Sequence, residues 1–323
     1  MARFVLKLMM LAGGLIGFKA LLWVGIHTYC PNQTFRYEAA YKRDSLLWPI
    51  RQQVNTVFFG SSRTACSLVP AQFDSLTNHR TNSFNYGLSG LFVPDTFEEA
   101  ERILTMDGLA LRTIFFELSF PPEVNLIDRF DMERPFDALL FALDHELSQS
   151  SDLLKRLTNV LDSFVSSFLI LRQPFRIALQ STNKAVRENY VMTSRGYRYF
   201  RNISRTDRFQ AAAQSEEVRP ATKADIEPSA YSRRIERLIR LCEQKNIALY
   251  FVIPNYLSGV EKRILPGMYA TIPARLRFEM PPEHNSLTQM GVRYSDDGMH
   301  LNPRGASLFT ARFAARYKQL VQP

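Results

Sequence analysis

Two short pieces of this 323-residue chain carry side chains able to do acyl chemistry together. Near the front, Gly60-Ser61-Ser62-Arg63 closes an apolar run; near the back stands Asp297-Gly298-Met299-His300. A serine hydroxyl is a weak nucleophile until a base takes its proton. An imidazole does this near neutral pH, and a carboxylate on its other ring nitrogen holds it in orientation. Asp297 and His300, three apart in a turn, can meet in that way. A hydroxyl where a strand turns into a helix also lies beside backbone N–H groups that can hold an oxyanion. Plainer readings compete. Ser62 can simply cap the following helix, Ser61 is a neighbouring alternative nucleophile, and Asp296 is a second orienter. Arg63 reads either as a binder of an anionic group or as a surface ion pair. Glu117, near the end of another apolar run, either reaches the site or makes a satisfied polar contact. Cys66 reads as a small core residue. His79, His145 and His284 lack metal-ligand spacing, and Cys30, Cys66 and Cys242 form no CxxC pair, so no metal and no cofactor is expected. No G-x-S-x-G elbow is present.

The elements that would position these residues follow from apolar patterning. Residues 54–59 (VNTVFF), 113–118 (TIFFEL) and 247–253 (IALYFVI) are short apolar runs of the kind buried in parallel sheets. Helical spacing separates them. Within 230–245, Tyr231, Ile235, Leu238, Leu241 and Cys242 share a face. In the tail, Phe309, Phe313, Tyr317 and Leu320 recur at four, four and three, with Asn302 as N-cap and Pro303 at the first helical position. Strands alternating with helices predict an α/β fold, a parallel sheet with helices on both faces and its functional site at the carboxyl ends of the strands. Residues 130–227 depart from the alternation and read as a mostly helical insertion or lid. Within it, 153–171 is a strongly apolar amphipathic stretch, read as core or as a face for a membrane or membrane-protein partner. The segment 184–208 holds seven basic and two acidic residues interleaved with Tyr197, Tyr199 and Phe200. It reads as a solvated lid, or as a contact for anionic lipid headgroups or acidic glycan.

Hydrophobic residues are 46% of the chain and charged residues 22%, which excludes wholesale disorder and collagen-like classes. The net charge of +9 favours anionic partners. Residues 8–26 form a 19-residue apolar stretch with one charge, Lys19. As a helix it would span about 28 Å, close to a bilayer's hydrocarbon core of roughly 30 Å. Arg3 and Lys7 precede it, as a cytoplasmic N-terminus requires, and no A-x-A cleavage site follows. The expectation is an uncleaved signal anchor at 1–30, a juxtamembrane segment at 31–53, and an extracytoplasmic α/β domain at 54–323 with its insertion at about 130–227. In that location nucleic acid is not an expected partner.

On these residues the chain resembles the SGNH (GDSL-type) hydrolase superfamily. It is most similar to the membrane-anchored extracytoplasmic branch that includes the teichoic acid D-alanyl-transfer and alginate O-acetylation proteins. Gly60-Ser61-Ser62 matches the first block as the G-S-S variant, Asn85-Tyr86-Gly87-Leu88-Ser89-Gly90 the second, and Asp297-x-x-His300 with Leu301-Asn302 the last. The resemblance covers about 54–128 and 229–320. It implies a three-layer, flavodoxin-like sheet, a Ser62–His300–Asp297 triad, and an oxyanion hole from the backbone N–H groups of Ser62 and Gly87. It further implies O-acyl transfer, commonly of acetyl, to or from an envelope or exported polysaccharide, with a membrane-bound O-acyltransferase as partner. The third block is missing: Ser119-Phe120-Pro121-Pro122 stands where the superfamily has G-x-N-D. That departure also fits a catalytically silent scaffold or glycan-binding protein.

Overall fold

The computed structural model describes residues 2–29, 38–89, 95–119, 190–200, 222–223, 230–257, 259–280, 295 and 299–321. By its internal contacts the chain divides into two compact units, Met1–Tyr37 with Glu123–Arg187, and Glu38–Pro122 with Glu188–Pro323.

In the first unit, helix α1 (Ala2–Tyr29) runs unbroken for 28 residues. Phe4, Leu6, Met9, Met10, Leu11 and Leu21 are all exposed along it. Among the described residues no helix is long and apolar enough to cross a membrane, so the transmembrane helix expected over 8–26 is found as a helix but not as a span.

The second unit holds the site. Its sheet has strands β1 (Thr56–Gly60), β2 (Ser83–Gly87), β3 (Thr113–Glu117), β6 (Ala248–Val252) and β7 (Arg277–Phe278), in the order β2-β1-β3-β6-β7. Every pairing is parallel. The first three strands are buried at every position, which is why β1 and β3 read as unbroken apolar runs; β2, SFNYG, is as buried but carries polar residues and gave no such run. Their residues nevertheless alternate between two cores. Val57, Phe59, Ile114 and Phe116 face a cluster with Phe97, Ile103, Ile235, Leu238 and Met268. Those partners come from helices α5 (Asp95–Leu104), α6 (Ala230–Gln244) and α7 (Gly259–Thr271). Phe58 and Phe115 face the other cluster, with Phe73, Phe309 and Phe313, from α4 (Pro70–Leu76) and α8 (Pro303–Val321). Helices thus cover both faces, as expected. Phe313 is fully buried, its ring 4.9 Å from that of Phe115 and 4.3 Å from that of Phe278. Burying one such side chain contributes about 1.5–3 kcal/mol, and this packing fixes α8 to the sheet.

Two boundaries differ from the sequence expectation. The α/β unit begins at Glu38 rather than at 54. Helix α2 (Glu38–Ala40) and the π-helix that continues it (Tyr41–Leu47) bury Glu38, Lys42 and Leu47. Two of those buried side chains are charged, which is why the segment carries no apolar signal of a core element. Inside the expected insertion, β4 (Tyr190–Met192) and β5 (Arg198–Phe200) form an antiparallel hairpin of the same unit. Its turn docks on β2 through the Asn85 N–H, which donates to the Arg195 carbonyl at 2.9 Å. Gly196 there has φ +79°, and a side chain at that position would collide with the Asn85 carbonyl. Within the described residues 190–200, the basic, aromatic run is therefore core at Tyr197 and Arg198, 5% and 1% exposed, rather than a solvated lid; its other residues lie outside the described ones. The stretch 153–171 lies outside the described residues.

Candidate active site

Strand β1 ends at Gly60, whose missing side chain lets Thr64 and Glu117 close in; a Cβ there would strike both. The chain then turns into α3 (Ser62–Ser67). Ser61 is its N-cap, in extended conformation, and its Oγ accepts from the Arg63 N–H at 3.2 Å. The capping role considered for Ser62 thus belongs to Ser61. Ser62 is left as the first helical residue, with no intrahelical acceptor for its N–H. Its hydroxyl lies 2.8 Å from His300 Nε2.

His300 reaches that position from the far end of the chain. Ser295 and Leu301 form an antiparallel bridge, and Ser295 Oγ donates to the His300 carbonyl at 2.6 Å. Immediately after, Asn302 Oδ1 accepts from Gly305 N–H at 3.0 Å, the N-cap of α8 expected from sequence. Helix α8 is tied to the nucleophile's helix by Thr310. Its Oγ1 donates to the Ser67 carbonyl at 3.1 Å and accepts from Val69 N–H at 3.0 Å. The hydroxyl and the imidazole are therefore held by elements bonded to each other. Asp297 and Asp296, the two orienter candidates, lie outside the described residues.

Beneath Ser62 is a buried charge network that sequence reasoning found only in part. Glu117, 3% exposed, accepts from the Ser61 hydroxyl at 2.6 Å, from Ser61 N–H at 3.3 Å, and from Thr64 Oγ1. Arg63, 5% exposed, lies 3.5 Å from Glu117 and makes a two-pronged pair with Glu261 at 2.6 and 2.7 Å. It also donates to the Tyr256 carbonyl. Burial by itself lowers an arginine's pKa, but Glu117 and Glu261 raise that of Arg63, so it stays charged. Arg63 is thus neither a surface ion pair nor turned toward a ligand. Together with Glu117 it clamps the turn that carries Ser62. Glu261, absent from the sequence reading, closes the network from α7. Its only signal was a lone acid in the first turn of a helix.

The expected oxyanion hole is not assembled as the resemblance implies. The buried Gly87 N–H donates to Asn85 Oδ1 at 2.9 Å. The same Asn85 amide donates to the Thr64 and Leu68 carbonyls at 2.9 and 2.7 Å. Gly87 is needed for another reason: a side chain there would overlap the backbone of Ala65, so glycine lets α3 press against the end of β2. Of the two backbone donors expected, only Ser62 N–H remains.

A second buried cluster, also missed, braces this corner. Lys42 is fully buried; its Nζ donates to the Asn85 and Gly196 carbonyls at 3.2 and 2.8 Å, and to that of Gly87. Glu38 lies 3.6 Å from it and 3.4 Å from Arg198. Burial raises the Glu38 carboxyl, but Arg198 and Lys42 outweigh it and leave the pKa low. Burial lowers Lys42 to about 8. The legible signal was the i, i+4 spacing of Glu38 and Lys42. Cys66 is buried beside them, and burial pushes its thiol pKa up, so it is not a reactive thiolate. His79 is exposed on the turn after α4, away from the site, at φ 55°. His145 and His284 lie outside the described residues. Among the described residues no cluster could hold a metal ion.

No family model, curated protein or solved structure matches this chain.

Proposed function

We propose that this chain is an extracytoplasmic serine O-acyltransferase or carbohydrate esterase of SGNH type. The observation that carries the reading is the 2.8 Å separation of Ser62 Oγ and His300 Nε2. Those residues are 238 positions apart and meet at the carboxyl edge of a parallel sheet. The strand order reverses between β1 and β3, and such a switch point is where α/β sheets bind ligands. In the proposed reaction, His300 takes the Ser62 proton as Oγ attacks an acyl carbonyl. Ser62 N–H holds the developing oxyanion, and His300 returns the proton to the leaving oxygen. A hydroxyl of a polysaccharide, or water, then attacks the acyl-serine. Asp297 is assigned the orientation of His300. The exposed apolar side chains of α1 support attachment to a membrane; the extracytoplasmic location comes from the resemblance. A membrane-bound O-acyltransferase partner delivering the acyl group, acetyl by the resemblance, fits that placement.

A fluorophosphonate probe applied to the full chain in detergent tests the reading. Labelling that disappears in Ser62→Ala, and falls at least 100-fold in rate in His300→Gln, is the expected result. Intact chain that takes no label leaves the second reading, a silent scaffold of a polysaccharide machine. That reading is favoured by one observation, the engagement of Gly87 N–H by Asn85. Losing one oxyanion donor typically costs about 10²–10³ in rate.

A further inference from the structure

Buried polar side chains almost always find partners, because leaving one unpaired costs about 1–3 kcal/mol. Among the described residues, four at or just past the carboxyl ends of the strands do not: Ser89, beside Glu38 at the end of β2, Thr96 in the first turn of α5, and, next to the nucleophile's clamp, Ser119 and Asn255. Ser119 is fully buried with its hydroxyl unpaired. Asn255 is 3% exposed with both Oδ1 and Nδ2 unpaired. They stand just past neighbouring strand ends. Glu117 of β3 is in register with Val252 of β6, and Leu118 N–H donates to the Val252 carbonyl at 3.0 Å. Each is also a step or two from the nucleophile's clamp. Ser119 is two residues beyond Glu117, which holds Ser61. Asn255 precedes Tyr256, whose carbonyl holds Arg63.

We propose that Ser119 and Asn255 form the subsite for a hydroxyl-bearing acceptor, a carbohydrate, which attacks the acyl-serine. The inference rests on the acyl-transfer reading above. The chemistry of the unpaired atoms selects the ligand class. An acyl carbonyl brings only acceptors and would leave Asn255 Oδ1 unpaired. A pair of vicinal hydroxyls gives and takes at once, and satisfies both ends of the amide together with the Ser119 hydroxyl. Both groups are closed from water, so acceptor entry is coupled to opening of this edge. In the transfer step the acceptor O–H loses its proton to His300, its oxygen bonds to the acyl carbon, and the bond from that carbon to Ser62 Oγ breaks. His300 then returns the proton to Oγ.

The full chain in detergent is acylated with 4-nitrophenyl acetate in the presence of methyl glucoside. The acetyl groups reaching sugar and water are counted, and Ser62 labelling by fluorophosphonate is followed in parallel. The expected result is transfer to sugar by the wild type, at least tenfold less in Asn255→Leu and Ser119→Ala, and labelling within about threefold of wild type in both. Because the unpaired amide is a cost without ligand, Asn255→Leu is also expected to melt no lower than wild type, the opposite of a structural asparagine. A labelled wild type that transfers nothing to saturating methyl glucoside overturns the subsite. So does undiminished transfer in both variants, or a clear drop in the melting temperature of Asn255→Leu together with loss of labelling; Asn255→Ser, which keeps a hydrogen-bonding group, repeats the measurement if the leucine variant does not fold. A wild type that takes no label at all removes the acyl-enzyme reading itself.

Discussion

Ser62 and Ser61 divide two tasks that adjacent hydroxyls commonly confuse. Ser61 caps α3 and is held by Glu117, which frees Ser62 to face His300. Glu117 acts only as an acceptor, toward three donor groups on Ser61 and Thr64. Glu117→Gln must turn an NH2 toward one of those donors, so a destabilisation of about 1–3 kcal/mol is expected. The turn carrying Ser62 loosens with it. Fluorophosphonate labelling is expected to slow by at least tenfold at a temperature where circular dichroism shows the variant folded. Unchanged labelling would mean that the clamp does not set the nucleophile's position.

The helices that deliver the dyad gain their precision from their ends and from each other. α8 starts at a capped Asn302 two residues past His300, and Thr310 binds it to the chain just after α3. Asn302→Ala removes an N-cap and is expected to cost about 1 kcal/mol. Thr310→Val keeps the shape but leaves the Val69 N–H and the Ser67 carbonyl without their partner. It is expected to cost about 1–3 kcal/mol and to slow Ser62 labelling more than Asn302→Ala does, since it uncouples the two halves of the dyad. Chemical denaturation and probe kinetics on the same samples measure both effects.

Across the α/β unit, Glu38, Lys42 and Arg198 join the segment before β1, the end of β2 and the β4–β5 hairpin in one buried cluster. Two cations share one carboxylate there, and burial lowers the Lys42 pKa to about 8 from the usual value near 10.4. Between those two values the unfolded chain holds the proton more firmly than the folded one. Stability from this group therefore rises as pH climbs through that window, and the full cost of the buried charge is present below it. The Cys66 thiol beside it is raised by burial. The denaturation free energy of wild type minus that of Lys42→Met is expected to increase between pH 7 and pH 10, by on the order of 2–3 kcal/mol. A flat difference would show that Lys42 titrates as a solvated lysine.

Apolar runs and helical spacing by themselves determined the parallel sheet through three of its five strands and its two helical faces, and residue motifs marked the two chain segments that carry Ser62 and His300. Burial on both faces writes a continuous signal into a strand, and a helix buried on one side repeats every three to four residues. Only the tertiary structure decided which serine caps and which faces the imidazole, because both choices satisfy the same local pattern. It alone decided that Arg63 is clamped by Glu261, that Gly87 N–H is bound by Asn85, and that the expected juxtamembrane segment belongs, from Glu38 on, to the α/β unit. These outcomes turn on partners as far as 238 residues apart. A charged side chain looks the same in sequence whether water or a buried counter-charge surrounds it.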